Sequence, residues 1–311
     1  MRNISEENIY SGGWVSLNKP SGISSNNALN IIKKTFNLKK VGFSGTLDPL
    51  ASGVLPIAFG SATKTIPFLD SCKKEYKFII KWGTLTETHD LEGKILDSSE
   101  IRPNVREINS IITKFMGEVK QRPPRFSAIK VSGRRAYTLA RRKENFTLPK
   151  RLVTIYSLKL VRIIDKDHAE FKISCGKGFY VRSLARDISI KLGTLGFLAS
   201  LERLKVGPFT LKNAFPLASL TNLVHSAPAG KIEEKYLLPL SKVLDDIPAL
   251  SLEEQEARIF RQGQIIKKKS LVDTLPQGSD VLLFYSNRPI GLAVMVESTL
   301  KPKRVFSDEI F

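Results

Sequence analysis

One carboxylate, Asp48, lies inside the stretch Gly45-Thr46-Leu47-Asp48-Pro49-Leu50-Ala51-Ser52-Gly53. Gly45 and Gly53 can take the backbone angles of a tight loop, and Pro49 fixes its own φ. Pro49 also pushes Asp48 toward an extended conformation, so the acid does not simply continue a helix. The loop therefore presents one acid rigidly beside apolar neighbours. A carboxylate held in this way can add to an electrophilic carbon and later leave, or assist an elimination. Taken alone, an Asp-Pro in a loop is also an ordinary turn former with a locally satisfied side chain. The rest of the chain has to decide between the two.

The charge of the chain narrows its partners. The 311 residues carry 49 Lys/Arg against 30 Asp/Glu, a net of +19. From Pro248 onward the balance is nine basic to eight acidic residues, so almost all of the excess belongs to the first 247 residues. Between Lys120 and Pro149 there are nine basic residues and one acid, Glu144. Clustered charge of this kind points to a grip on nucleic-acid phosphates by the N-terminal part. Thr88-His89-Asp90-Leu91-Glu92-Gly93 has a metal-ligand look, but His89, His168 and His225 are scattered singly. The stretch reads as a turn, and neither a metal nor another cofactor is expected. Cys72 and Cys175 give no disulfide framework and fit a reducing cytosol. Met1–Tyr10 is too polar for a signal peptide, and no run of about 18 apolar residues exists for a membrane span. A soluble, cytoplasmic, monomeric protein is expected.

Several elements must position the Asp48 loop. Trp14–Leu17 reads as a strand running into the turn Asn18–Gly22. Ser24 or Ser25 caps a helix with an apolar stripe of Ala28, Ile31, Ile32 and Phe36. Glu75–Trp82 alternates, with Tyr76, Phe78, Ile80 and Trp82 on one face. Ile108, Ile111, Ile112 and Phe115 mark a helix closed by Gly117. Lys120–Pro149 is long for a loop without a binding role or disorder. Leu152–Ile163 and Ala169–Cys175 read as neighbouring strands, and Ser183–Leu192 as a helix. A domain boundary is expected in Ala214–Pro248, giving domains of 1–247 and 248–311. Beyond it, Ser251 and Glu254 form a capping box, and Val281–Tyr285 pairs with Ile290–Val296 across Asn287-Arg288. The predicted class is α+β, with a mixed, largely antiparallel sheet and a small β-rich C-terminal module.

Four motifs combine in order: Leu17-Asn18-Lys19-Pro20-Ser21-Gly22, the Gly45–Gly53 loop, Lys74-Glu75-Tyr76, and Gly178-Phe179-Tyr180-Val181-Arg182-Ser183-Leu184. Together they closely resemble the TruB family of tRNA pseudouridine synthases over about Trp14–Pro208, and the tail is similar to modules related to PUA domains. The resemblance implies isomerisation of the T-loop uridine at tRNA position 55, with Asp48 as nucleophile. It implies that Tyr76 lies against the target base, that Arg182 pairs with Asp48, and that Leu201 lines the uracil pocket. Tyr180, in the Arg182 motif, and Asp90 are further substrate-binding candidates, and Lys19 and Pro20 support the site. The segment at about 120–150 would clamp the T-arm. Many relatives carry His where this chain has Phe43, which keeps a π-face for a displaced base but loses the donor.

The chemistry suits these residue types. Moving a ribose bond from N1 to C5 of uracil calls for a nucleophile rather than a redox group. A guanidinium beside Asp48 would favour its charged form and lower its pKa. The target base must first be flipped from its stack, at a cost of a few kcal/mol. Each residue alone has a plainer reading: Tyr76 and Phe43 as packing residues, Arg182 as a surface ion-pair partner, Lys120–Pro149 as a solvated loop. A non-catalytic RNA-binding protein is the competing function, disfavoured by the coincidence of Asp48, Tyr76 and Arg182. A guide-RNA-dependent relative is disfavoured by the short chain.

Overall fold

The computed structural model describes residues 12–222, 236–238, 243–245, 247–268 and 275–306. Met1–Tyr10 and His225, read from the sequence above, lie outside the described residues, as does most of the linker between 223 and 242.

Alternation of apolar residues sets the central strand. In Lys74–Trp82 every second residue, from Lys74 through Tyr76, Phe78 and Ile80 to Trp82, is buried and those between are half-buried. This strand lies in an extended sheet ordered Phe215–Pro216, Gly12–Lys19, Ser52–Gly60, Gly196–Val206, Lys74–Trp82, His168–Cys175, Arg151–Ile163, Gly117–Gln121. Its neighbours pair antiparallel except at two places. Phe215–Pro216 runs parallel to the first strand, and Ser52–Gly60 runs parallel to Gly196–Val206. That second junction is a narrow seam. Only Ser52 with Glu202 and Gly53 with Arg203 are in register there. The sheet is thus mixed and largely antiparallel, the class expected.

Three helices cover the face carrying Tyr76, Phe78 and Ile80, and their apolar residues form one core with it. Ser24 caps the first, Ser25–Thr35, its side chain accepting from the Asn27 N–H, and Ala28, Ile32 and Phe36 are buried. Ile31, assigned to the same stripe, is 38% exposed, so the buried face is narrower than the spacing suggested. Asn104 and Glu107 form a capping box on Val105–Ile112, a cap not foreseen, and Ile108, Ile111 and Ile112 turn inward. The third helix, Val181–Lys191, begins two residues earlier than expected and buries Leu184 and Ile188.

Lys120–Pro149 is not a structureless loop. Its residues Lys130–Val131 and Arg134–Arg135 pair as a short hairpin, and Ala136–Arg141 is a helix that buries Ala136, Leu139 and Ala140. Arg134 grips Glu144 with two hydrogen bonds of 3.0 and 2.8 Å, so the lone acid of the segment ties it together. Most of its other cations face solvent.

The C-terminal sheet is ordered Ala249–Ser251, Asp280–Tyr285, Arg288–Val296, Thr299–Val305, Ile266–Lys267. Here two expectations move. Ser251 is drawn into a strand opposite Phe284, and the capping box of helix Glu254–Arg261 is formed by Glu253 and Glu256 instead. The hairpin turn is Ser286-Asn287, both with φ near +50 to +60°, while Arg288 already pairs with Tyr285. Leu282 and Leu292 from this sheet, and Phe306 just beyond its last long strand, share a second apolar cluster with Trp14, Val54 and Phe209. The module is therefore docked through apolar contact. No described helix is long and apolar enough to cross a membrane.

Candidate active site

The Asp48 loop is anchored from one side by the first strand's turn and the first helix. Ser25 Oγ donates to the Leu47 carbonyl and accepts from the Leu47 N–H, both at 2.8 Å. Gly22 N–H donates to Pro49 O at 2.8 Å, and Ser21 Oγ to Leu50 O at 2.7 Å. Lys19 is fully buried and donates to the carbonyls of Pro20, Ile23 and, at 3.5 Å, Pro49. Burial pushes its ammonium down to about 8, while the charge of Asp48 works the other way. Three carbonyl acceptors make Lys19 a brace behind the loop. Pro20, exposed at its side chain, contributes one of them.

Asp48 meets Arg182 side-on. Arg182 Nη2 donates to Oδ1 at 3.0 Å, and Nε lies 2.8 Å from Oδ2. The Arg182 side chain is 6% exposed and that of Asp48 33%, so the carboxylate looks out of the pocket while its partner is enclosed. Arg182 also donates to Thr88 O at 3.2 Å and Phe126 O at 3.0 Å, and its Nη1 lies 3.5 Å from Asp90 Oδ2. Asp90 is buried and closes the expected turn, accepting from Thr88 Oγ1 and from the Glu92 N–H. His89 in that turn is pushed down to about 4 by burial, and by Arg186 and Arg182, which keeps it neutral. No group of three His, Cys, Asp or Glu among the described residues is placed to hold a metal ion.

The electrostatic balance at Asp48 differs from the expectation. Burial raises its pKa above the usual carboxylate value, and the nearby Asp90 charge adds to the rise. Arg182 opposes both without overcoming them. Sequence supplies the partner but not the depth of the pocket, and desolvation favours the neutral acid. The pair is thus poised rather than locked.

Tyr76 stands on the next element. It is 8% exposed, and burial raises its hydroxyl pKa, with Arg203 opposing. Arg203 faces it across the antiparallel pair, and its charge works against that rise. This arginine is completely buried and was not foreseen as a site residue. A signal existed: Arg203 shares the inward parity of Leu201 in a strand of period two. Tyr180 precedes the Arg182 helix, and its backbone is fixed by Gln121, whose side chain donates to Tyr180 O and accepts from Tyr180 N–H. Burial raises the Tyr180 hydroxyl pKa as it does that of Tyr76, and the Asp48 charge adds to the rise at both.

Comparison with known proteins fits this constellation. Residues 33–181 match the TruB family pseudouridylate synthase (N terminal domain), and residues 248–306 match the pseudouridine synthase II TruB C-terminal region. The tRNA pseudouridine synthase B of Rhodospirillum rubrum is 42% identical over 94% of this chain and 96% of its own length. That of Ehrlichia canis is 43% identical over 95% and 97%. The chain belongs to the TruB family. Two solved structures share the TruB fold seen here. One is a chain from an H/ACA RNP bound to a substrate RNA containing 2′-deoxyuridine, at a TM-score of 0.73 and 21% identity, covering 98% of this chain and 89% of that one. The other comes from a Cbf5-Nop10-Gar1 complex, at 0.74 and 23%, covering 96% and 85%.

Not every candidate gathers at the Asp48 carboxylate. Leu201 lies opposite Phe78, 6% exposed and part of the main core. Phe43 is half-buried, paired with Ile57, and packs against that core rather than taking part in the polar contacts of Asp48. Its packing role is therefore visible, and one part of the ring surface stays open. The Asp48–Arg182 cluster also reaches into the basic segment, because the Phe126 carbonyl is one of the acceptors holding Arg182.

Proposed function

We propose that this chain isomerises the T-loop uridine at tRNA position 55 to pseudouridine, with Asp48 as the nucleophile. The observation that carries the reading is a partly open carboxylate held by an enclosed guanidinium at the floor of the cleft. Pure RNA binding needs no such pair. The flipped uridine lies against Tyr76, with its N1–C1′ bond within reach of Asp48. The carboxylate adds to ribose C1′ or uracil C6, or assists elimination; the N1–C1′ bond breaks, and the detached base turns to offer C5. A C5–C1′ bond then forms, C5 gives up its proton while N1, now free of ribose, takes one up, and the carboxylate departs as the anion that Arg182 stabilises. The chemistry uses only side chains.

The basic segment 120–150 serves as the clamp on the T-arm. Phosphate contacts hold the distorted RNA and base contacts choose it. Residues 248–311 act as a separate RNA-positioning module on the catalytic unit 1–247. A tRNA substrate sets the work in the cytoplasm.

The test is tritium release from a T-arm hairpin labelled at C5 of its uridines. Release stoichiometric with pseudouridine at position 55 is expected, and release with uridine 55 left unchanged would overturn the substrate assignment. Neutralising four basic residues, Arg122, Lys130, Arg135 and Arg142, lowers tRNA affinity and flattens its dependence on salt by about three to four units of log–log slope if each contacts one phosphate. Filter binding between low and high salt reads this; an unchanged slope removes the clamp.

A further inference from the structure

Arg203 is a cation with no contact to solvent, lodged behind the Asp48 loop. Its Nε donates to Val54 O at 2.7 Å, and its Nη2 lies 3.4 Å from Ser44 O. Ser44 immediately precedes Gly45, and Val54 immediately follows Gly53, so one guanidinium clips both stems of the loop. Tyr76 is the residue directly opposite it in the neighbouring strand. The approach is tight. A Cβ on Gly45 would lie 2.9 Å from Arg203 Nη1, and one on Gly53 would lie 2.3 Å from the Arg203 carbonyl. Asp70 accepts from Ser44 Oγ at 2.6 Å and from the Gly45 N–H at 3.1 Å, and its charge offsets part of that of Arg203.

Guanidinium has donors only. Where the Tyr76 hydroxyl meets this guanidinium it can therefore only accept, which leaves its own proton for another acceptor.

Resting on the reading of Asp48 as nucleophile and Tyr76 as base platform, we infer that Arg203 is a positioning residue for the isomerisation. It fixes the Asp48 loop and the Tyr76 hydroxyl in one register and turns that hydroxyl toward the base. It touches neither substrate nor reacting atoms. Loss of register by about 1 Å can cost a reaction on the order of 100-fold while leaving remote binding contacts intact.

The experiment measures kcat and KM for release of tritium from full-length tRNA transcripts labelled at C5 throughout, together with Tm. Arg203→Met is expected to lower kcat about 100-fold with KM changed by less than about threefold, the mark of an interaction expressed in the transition state. Arg203→Lys keeps the charge but cannot reach both loop carbonyls and Tyr76 at once, and recovers part of the rate. The decisive arm is the cycle with Tyr76→Phe. If Arg203 acts through the Tyr76 hydroxyl, the double variant is no slower than the slower single variant. Losses that multiply, or a fall in Tm with kcat preserved, overturn the inference. Should Arg203→Met not fold, the Arg203→Lys and Tyr76→Phe cycle decides by the same criterion. Because every uridine in the transcript is labelled, release by the native chain from a site outside the T-loop would move the substrate assignment alone and leave the Arg203 comparison standing.

Discussion

Asp48→Asn abolishes pseudouridine formation, by on the order of 10⁴-fold or more, while tRNA binding stays within about threefold of the native chain. The substitution keeps size and one carbonyl acceptor but removes the anion. Nothing else at the cleft floor can replace it: Asp90 is enclosed and committed to Thr88, Glu92 and Arg182. Arg182 does not become an abandoned buried cation, because the carbonyls of Thr88 and Phe126 and the carboxylate of Asp90 remain. The variant should therefore fold, and its defect is chemical. Affinity is expected to survive because the excess positive charge lies elsewhere, much of it in 120–149. Tritium release under single turnover and filter binding measure the two halves. Turnover at the native rate would remove Asp48 from the role of nucleophile.

Replacing Arg182 is expected to act through protonation as well as rate. The attacking species is the carboxylate, so activity falls as pH drops through the Asp48 pKa. Burial and Asp90 hold that pKa above the ordinary carboxylate value, and Arg182 is the leading influence pulling it down. In Arg182→Met the opposing influence disappears and the pKa rises further. The acid limb of kcat/KM against pH should then move upward by about one to three units. Arg182→Lys restores the charge without the side-on fork, so the limb returns part of the way and the rate remains reduced. The pH profile separates this from simple misfolding, which lowers the plateau and leaves the limb where it was. An unmoved limb would refute Arg182 as the tuner of Asp48.

What the sequence made legible was whatever repeats locally. The strand through Tyr76 could be read because its burial alternates strictly, and the first helix because Ser24 and Ala28, Ile32 and Phe36 sit at helical spacing. Features set by distant partners were harder. Ser251 looked like a cap by spacing to Glu254, yet pairing with Phe284 claims it for a strand and hands the cap to Glu253. The order of the large sheet, with a parallel junction at Gly53, cannot be read from any local pattern. At the site, the Asp48 motif drew attention to the right carboxylate, but its raised pKa comes from desolvation, which depends on everything folded over it. Arg203 escaped notice because a charged residue between Glu202 and Leu204 looks like surface. Only its parity with Leu201 places it inward.

The narrow parallel junction has a mechanical consequence. On its two sides the ladders are long: eight residue pairs join Gly12–Lys19 to Ser52–Gly60, and nine join Gly196–Val206 to Lys74–Trp82. At the junction itself there are two. Stiffness in a sheet follows its lacing, so opening at this line costs less than opening within either half. The Asp48 loop belongs to one half, and Tyr76 and Arg203 belong to the other. Side chains rather than backbone ladders therefore join the two halves here: the shared apolar core, the Arg182–Asp48 pair and the Arg203 clip. The distance between carboxylate and ring is thus set by side-chain packing across a lightly laced line, and a substitution among those side chains alters it without touching either reactive group.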